Sequence, residues 1–154
     1  MIQRIQTIYL LLAAVLTACT TFLSLGTFST GTEEFTLQAF GLKNADGATV
    51  QPTAYMGILL VLALAVAVVT IFLYKRRMLQ IRICVVEMIL LAGSQAMTVI
   101  YYYLSCRVFS SVEFQAHSLK LPLVFPAIAL IFTFLAARAI FRDEILVRSV
   151  DRIR

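Results

Sequence analysis

The sequence predicts an all-α integral membrane protein, a four-transmembrane-helix bundle with both termini cytoplasmic and room for a small β-hairpin in its first outer loop. Three observations carry this. Of the 154 residues, 61% are hydrophobic and only 14% charged, far from the balance of a water-soluble domain. Four separate stretches are long and apolar enough to cross a bilayer. Finally, Lys and Arg are distributed unevenly between the segments that join those stretches.

A helix needs about 20 mostly apolar residues to cross the hydrocarbon core, because each backbone polar group must be satisfied within its own segment. Residues 5–25, 55–74, 83–104 and 121–141 meet that test and organise the whole chain, 1–154, as one membrane domain. The second span has Thr70 as its only polar side chain between Tyr55 and Tyr74, whose rings suit the two interfaces. In the fourth span, Pro122 and Pro126 fall in the opening turns, where proline is tolerated.

Orientation follows from the basic residues. Arg4, Lys75, Arg76, Arg77, Arg82, Arg138, Arg142, Arg148, Arg152 and Arg154 lie on one side, against Lys43, Arg107 and Lys120 on the other. Ten against three places the termini and the 75–82 loop in the cytoplasm, in a multi-pass arrangement. The same asymmetry accounts for most of the net charge of +5. Basic residues divided by long apolar runs do not make the single soluble face that nucleic acid requires, so nucleic acid is not an expected partner.

The outer loop 26–54 contains an extended run, residues 33–42, rich in Phe and Thr. Asn44, Asp46 and Gly47 then supply turn chemistry, and residues 48–53 return as a second strand. A lone hairpin of this size must lean on the membrane surface or a partner. The other outer loop, 105–120, carries Val108, Phe109, Val112 and Phe114, enough apolar surface to rest on lipid headgroups.

Residues 16–19, Leu-Thr-Ala-Cys, resemble a lipoprotein cleavage site, with Cys19 as the acceptor of lipid. Apolar character continues through Phe22, Leu23 and Leu25, however, as a retained span requires and a signal peptide does not. The first span is therefore expected to stay. Cys19, Cys84 and Cys106 follow no ligand or redox spacing, and small apolar packing roles suffice for Cys19 and Cys84.

Chemistry in such a chain is confined to the few polar groups within the spans. Advancing about 100° per residue from Glu87, the side chains of Ser94, Thr98, Tyr101, Tyr102 and Ser105 form one stripe along the third span, with Gln95 just outside it. The first span has a matching face of Gln3, Gln6, Ala13, Ala14, Thr17, Thr20, Thr21 and Ser24. Setting the two faces together, with hydroxyls bonding between helices, is the simplest packing.

Glu87 is the single acid inside any span, and Arg138 lies at a similar depth on the fourth. The two are candidates for an ion pair or a proton site, against the plainer alternative that each snorkels to the interface. His117, the only histidine, lies near Ser110, Ser111, Ser118, Glu113 and Cys106 without the spacing of a triad or zinc motif. No enzyme, cofactor or metal site is expected. A secondary transporter's internal repeat is missing too, so transport would need an oligomer.

The tail, 142–154, continues helically, with Ile145, Leu146, Val150 and Ile153 on one face and Arg148, Asp151, Arg152 and Arg154 on the other. It reads as an amphipathic helix along the inner membrane surface, its arginines on anionic lipid or on a partner.

The opening MIQRIQTIYLLL, residues 1–12, and the closing RDEILVRSVDRIR, residues 142–154, resemble a bacterial family of four-span membrane proteins known only as a domain of unknown function. The resemblance implies an inner-membrane protein with an uncleaved first helix, and brings no activity, ligand or catalytic residue. Both terminal motifs fall on the expected cytoplasmic side, implying that the shared role is read there. The leading expectation is a non-enzymatic accessory or scaffold subunit that associates with other membrane proteins or with its own copies. The alternatives are an oligomeric transport or proton-responsive protein using Glu87, and a lipoprotein modified at Cys19.

Overall fold

The computed structural model describes residues 2–30, 33–74, 76–109 and 116–151. Four long helices, α1 (Ile2–Phe22), α2 (Ala54–Phe72), α3 (Arg77–Phe109) and α4 (Phe125–Asp151), form an up-down bundle. All four are long and apolar enough to cross a membrane. Five short strands cap one end: β1 (Gly26–Thr30), β2 (Glu33–Gln38), β3 (Gly41–Asn44), β4 (Thr49–Pro52) and β5 (Ala116–Leu119). A 3-10 turn, Leu121–Val124, leads into α4, with Pro122 inside it and Pro126 in the first helical turn.

In the bundle, α1 packs against α2 and α4, and α3 packs against the same two, so α1 and α3 stand on a diagonal. This corrects the expectation that their polar faces meet directly. Short connections make consecutive helices neighbours, and α1 closes the ring on α4 rather than on α3.

The burial pattern inverts that of a water-soluble bundle. The fully buried residues midway along the helices are mostly small, Ala13, Ala63 and Ala129 beside Leu91, with Leu16, Leu90, Leu130 and Phe132 half-buried around them, while Ile8, Leu11, Val61, Leu62, Ile89 and Ile131 point outward. With lipid as apolar as leucine, burying large side chains offers no advantage. Small residues instead let helix backbones approach closely.

The sheet order is β4-β3-β2-β1-β5, antiparallel throughout. The expected hairpin is present at its far edge: Gly47, at φ 78°, closes the turn, with its N–H donating to Asn44 O at 2.9 Å. Around it the sequence reading needs correction. The run 33–42 is two strands that turn at Ala39 and Phe40; residues 26–30 add a strand, so α1 stops at Phe22; and the second loop contributes β5, paired with β1 from Gly26↔Leu119 to Ser29↔Ala116.

Two further differences concern the helices. At 33 residues, α3 spans about 50 Å, beyond the ~30 Å hydrocarbon core, and includes Arg107, which sequence placed in a loop. The tail does not turn to lie along the surface. It continues α4 without a break to Asp151, as one helix of 27 residues.

An apolar cluster of Leu25, Phe28, Leu37, Ala39, Leu42, Met56 and Leu60 joins the sheet to the bundle, with Tyr101, Tyr102 and Cys106 packed against it. Phe28 and Tyr102 are in ring contact, centroids 5.4 Å apart. Thr53 fixes α2 to the sheet: its hydroxyl lies 3.2 and 3.1 Å from Gln38 O and Ala39 O, and its N–H donates to Phe40 O.

Candidate functional site

The polar groups of the interior fall into two kinds. The hydroxyls of Thr17, Thr21, Thr70, Thr98 and Ser105 each donate to the carbonyl four residues back on their own helix, at 2.7 to 2.9 Å, and Ser94 donates to Leu91 O at 2.9 Å. Thr17, Thr21, Ser94 and Thr98 are buried and Tyr101 half-buried, so the two faces do point inward. The serine and threonine hydroxyls are nevertheless satisfied within each helix, contrary to the expected bonding between helices. A carbonyl i−4 away is always in reach of a Ser or Thr rotamer, whereas a partner across the bundle needs a matching register.

Glu87 is of the other kind. It is fully buried on α3, between Cys84 and Leu91 on the same face, which belong to two separate apolar clusters. Its Oε1 accepts from the Thr133 hydroxyl of α4 at 3.1 Å, while Oε2 has no hydrogen-bond partner. The same hydroxyl lies 3.0 Å from Ala129 O, so one proton is divided between two acceptors. This leaves a carboxyl group poorly satisfied in apolar surroundings, a costly arrangement in any interior. Two further side-chain atoms of α3 share the condition, Gln95 Oε1 and Tyr102 Oη.

Arg138 does not join Glu87. On α4 the buried positions are Pro126, Ala129, Thr133, Ala136, Ile140 and Asp143, spaced by three and four residues. Arg138 follows Thr133 by five residues, about 140° around the helix, and is exposed. It also stands about 7.5 Å further along the axis than Thr133, so it differs from Glu87 in both depth and direction. Instead it stands beside Arg142 in a cleft between α1 and α4.

Sequence reasoning passed over Thr133, although it is the only polar side chain between Lys120 and Arg138. It also missed two links at the end of the bundle where the termini lie. Gln6 of α1 donates through Nε2 to buried Asp143 of α4, joining the chain's two ends. Gln80 of α3 donates to Thr70 O of α2 at 3.1 Å across the tight connection between those helices.

Arg148 lies on α4, but its side chain, with Arg152 and Arg154, falls outside the described residues, as do Ser110, Ser111 and Glu113. His117 is on β5, its side chain likewise undescribed, and Ser118 shares a hydrogen bond of 2.7 Å with Thr27. Cys19, Cys84 and Cys106 are free thiols. Among the described residues no group of three His, Cys, Asp or Glu side chains is placed to hold a metal ion.

Four apolar helices around a small-residue interior, capped by a sheet, have the build of a polytopic helical membrane protein. Comparison with known families makes the assignment particular: the chain belongs to the family described as Domain of unknown function (DUF4293), which matches residues 2–153. No curated protein matches it.

Proposed function

We propose that this is a non-enzymatic accessory or scaffold protein of a bacterial inner membrane, with its termini in the cytoplasm and its sheet outside. The sheet carries the reading. Both connections at that end, more than 60 residues apart in sequence, are drawn into one platform whose edge strands, β4 and β5, each have a free side among the described residues. Phe40, Val50 and Leu119 are exposed at that end. An open edge with apolar side chains is a surface to which another chain can add. The polar helix faces are spent on the bundle's own packing and the outer faces are apolar, as lipid requires, so a partner is expected at the sheet rather than along the spans. The Lys and Arg distribution supports the orientation, since the sheet end is the poor one. The unbroken course of α1 through Cys19, packed on α2 and α4, favours a retained span over lipidation there, which the mass of the mature chain tests.

Photo-crosslinking groups placed at Val50 and Leu119, compared with Ile58 and Val61 on the outer face of α2, test the scaffold role in intact membranes. Reproducible protein adducts of discrete mass are expected from the sheet positions, and lipid adducts alone from the helix. Silence at all four positions rules the scaffold role out.

The unpartnered oxygen of Glu87 favours a second reading, a proton-responsive role. Liposomes holding the parent protein or Glu87→Gln separate the two. Proton flux that the substitution abolishes supports this reading, and a parent that passes none removes it.

A further inference from the structure

The cleft that receives Arg138 has a volume of about 520 Å³. Ile5 and Tyr9 of α1 form one wall; Leu135, Arg138, Arg142 and Asp143 line the α4 side. Arg138 and Arg142 are one turn apart on the same helix face and both are exposed. Asp143, the one acid in the lining, is engaged by Gln6. Among the described residues neither guanidinium has an acid partner.

Deeper along the helices the cleft becomes apolar. Leu135 lies about 4.5 Å below Arg138 along the axis, and the Tyr9 ring, stacked on Phe132, extends the wall toward the middle of the bundle. Two cations at the mouth of an apolar slot match an amphiphile with a phosphate at one end and hydrocarbon at the other. Guanidinium forks bind phosphate oxygens in pairs, and basic pockets between spans suit anionic headgroups. A free phosphate would leave the slot empty.

We propose that this cleft binds an anionic phospholipid, its phosphate between Arg138 and Arg142 and an acyl chain along Tyr9 and Leu135. The proposal rests on the helices crossing a membrane, not on the scaffold role or on Glu87.

Native mass spectrometry of the full chain in mild detergent, supplied with phosphatidylglycerol or phosphatidylcholine of the same acyl chains, tests it. The parent is expected to retain one phosphatidylglycerol in preference to phosphatidylcholine. Arg138→Gln with Arg142→Gln should weaken that retention about tenfold or more, two charge-assisted contacts being lost. Arg76→Gln with Arg82→Gln removes two exposed charges at the same end but outside the cleft, and should leave retention intact. Ala139→Trp, which fills the slot and keeps both arginines, should abolish it. Equal losses from the two arginine pairs would mean diffuse attraction and overturn the proposal. So would full competition by inorganic phosphate, a parent without lipid preference, or a dimer that Ala139→Trp dissociates, since the cleft would then belong to a second copy.

Discussion

The Glu87–Thr133 contact makes an asymmetric prediction. Thr133→Val removes the hydroxyl but keeps a β-branched side chain of similar shape, so the loss falls on the carboxyl, both of whose oxygens then lack a donor. Side-chain hydrogen bonds between spans contribute about 0.6 kcal/mol on average and about 1.7 at most, and leaving a buried group unsatisfied costs about 1–3. A destabilisation of about 1–2 kcal/mol is expected, or a fall of about 2–8 °C in the midpoint for a chain of this size. Glu87→Leu should behave differently. Leucine joins the apolar clusters on either side, and Thr133 keeps its acceptor at Ala129 O, so no polar group is orphaned. Replacing a poorly satisfied buried polar group by an apolar one is neutral or stabilising, and Thr133→Val added to Glu87→Leu should cost little more. Unfolding in detergent followed by circular dichroism reads all three variants. If Glu87→Leu loses as much as Thr133→Val and the two losses add, the carboxyl is held by something other than this contact and the reasoning fails.

Other predictions follow from the same geometry. A double-mutant cycle of Glu87→Ala and Arg138→Ala should be additive within about 0.5 kcal/mol, because the two side chains point apart; a coupling above about 1 kcal/mol would restore the ion pair. A Cβ on Gly57 would lie 2.5 and 2.6 Å from ring carbons of Phe40 and 2.9 Å from Ala39 O, so Gly57→Ala should cost about 1–3 kcal/mol, with Phe40→Ala recovering only the part due to the ring. Equal stability of parent and Gly57→Ala would deny the close approach of sheet and α2. Gln6→Leu leaves Asp143 without its donor and should cost about 1–3 kcal/mol. Hydrogen exchange should accelerate in the first turns of α1 more than in α2, and uniform acceleration would contradict a local link.

What the sequence made legible was the part that depends on sums over neighbouring residues. Hydropathy added over about 20 positions locates a span whatever its partners are, and each of the four helices covers most of its expected span, while the ends of α1 and α3 differ. The 44–47 turn was legible because its asparagine and glycine act locally. The rest of the sheet was not. The pairing of β1 with β5 joins residues about 90 positions apart, and Ala-His-Ser-Leu shows neither alternation nor β-branching to mark a strand. The turn at Ala39 and Phe40 has no proline or asparagine; it is set by contact with Thr53 and Gly57. For Glu87 and Arg138, the spans that hold them could be read, but how α3 and α4 slide and rotate against each other, and so which side chains meet, is a tertiary property.

A polar stripe on a membrane helix is weak evidence for a pathway, and this bundle shows why. Serine and threonine hydroxyls on α1, α2 and α3 serve their own helix carbonyls, so these members of the stripe are satisfied without water, ligand or partner. Such residues are small and tolerant, which suffices to explain them between closely packed backbones. A carboxyl has no equivalent recourse. Inside a helix every backbone N–H is already committed to the carbonyl four residues back, so a buried glutamate must find its donors elsewhere, and Glu87 finds half a hydroxyl. Glu87 is the one carboxyl among the three residues of α3, with Gln95 and Tyr102, that keep a buried polar atom without a partner. Its substitution by glutamine, which keeps shape and one acceptor oxygen, therefore discriminates between the scaffold and proton-responsive readings more sharply than any change to the serines and threonines around it.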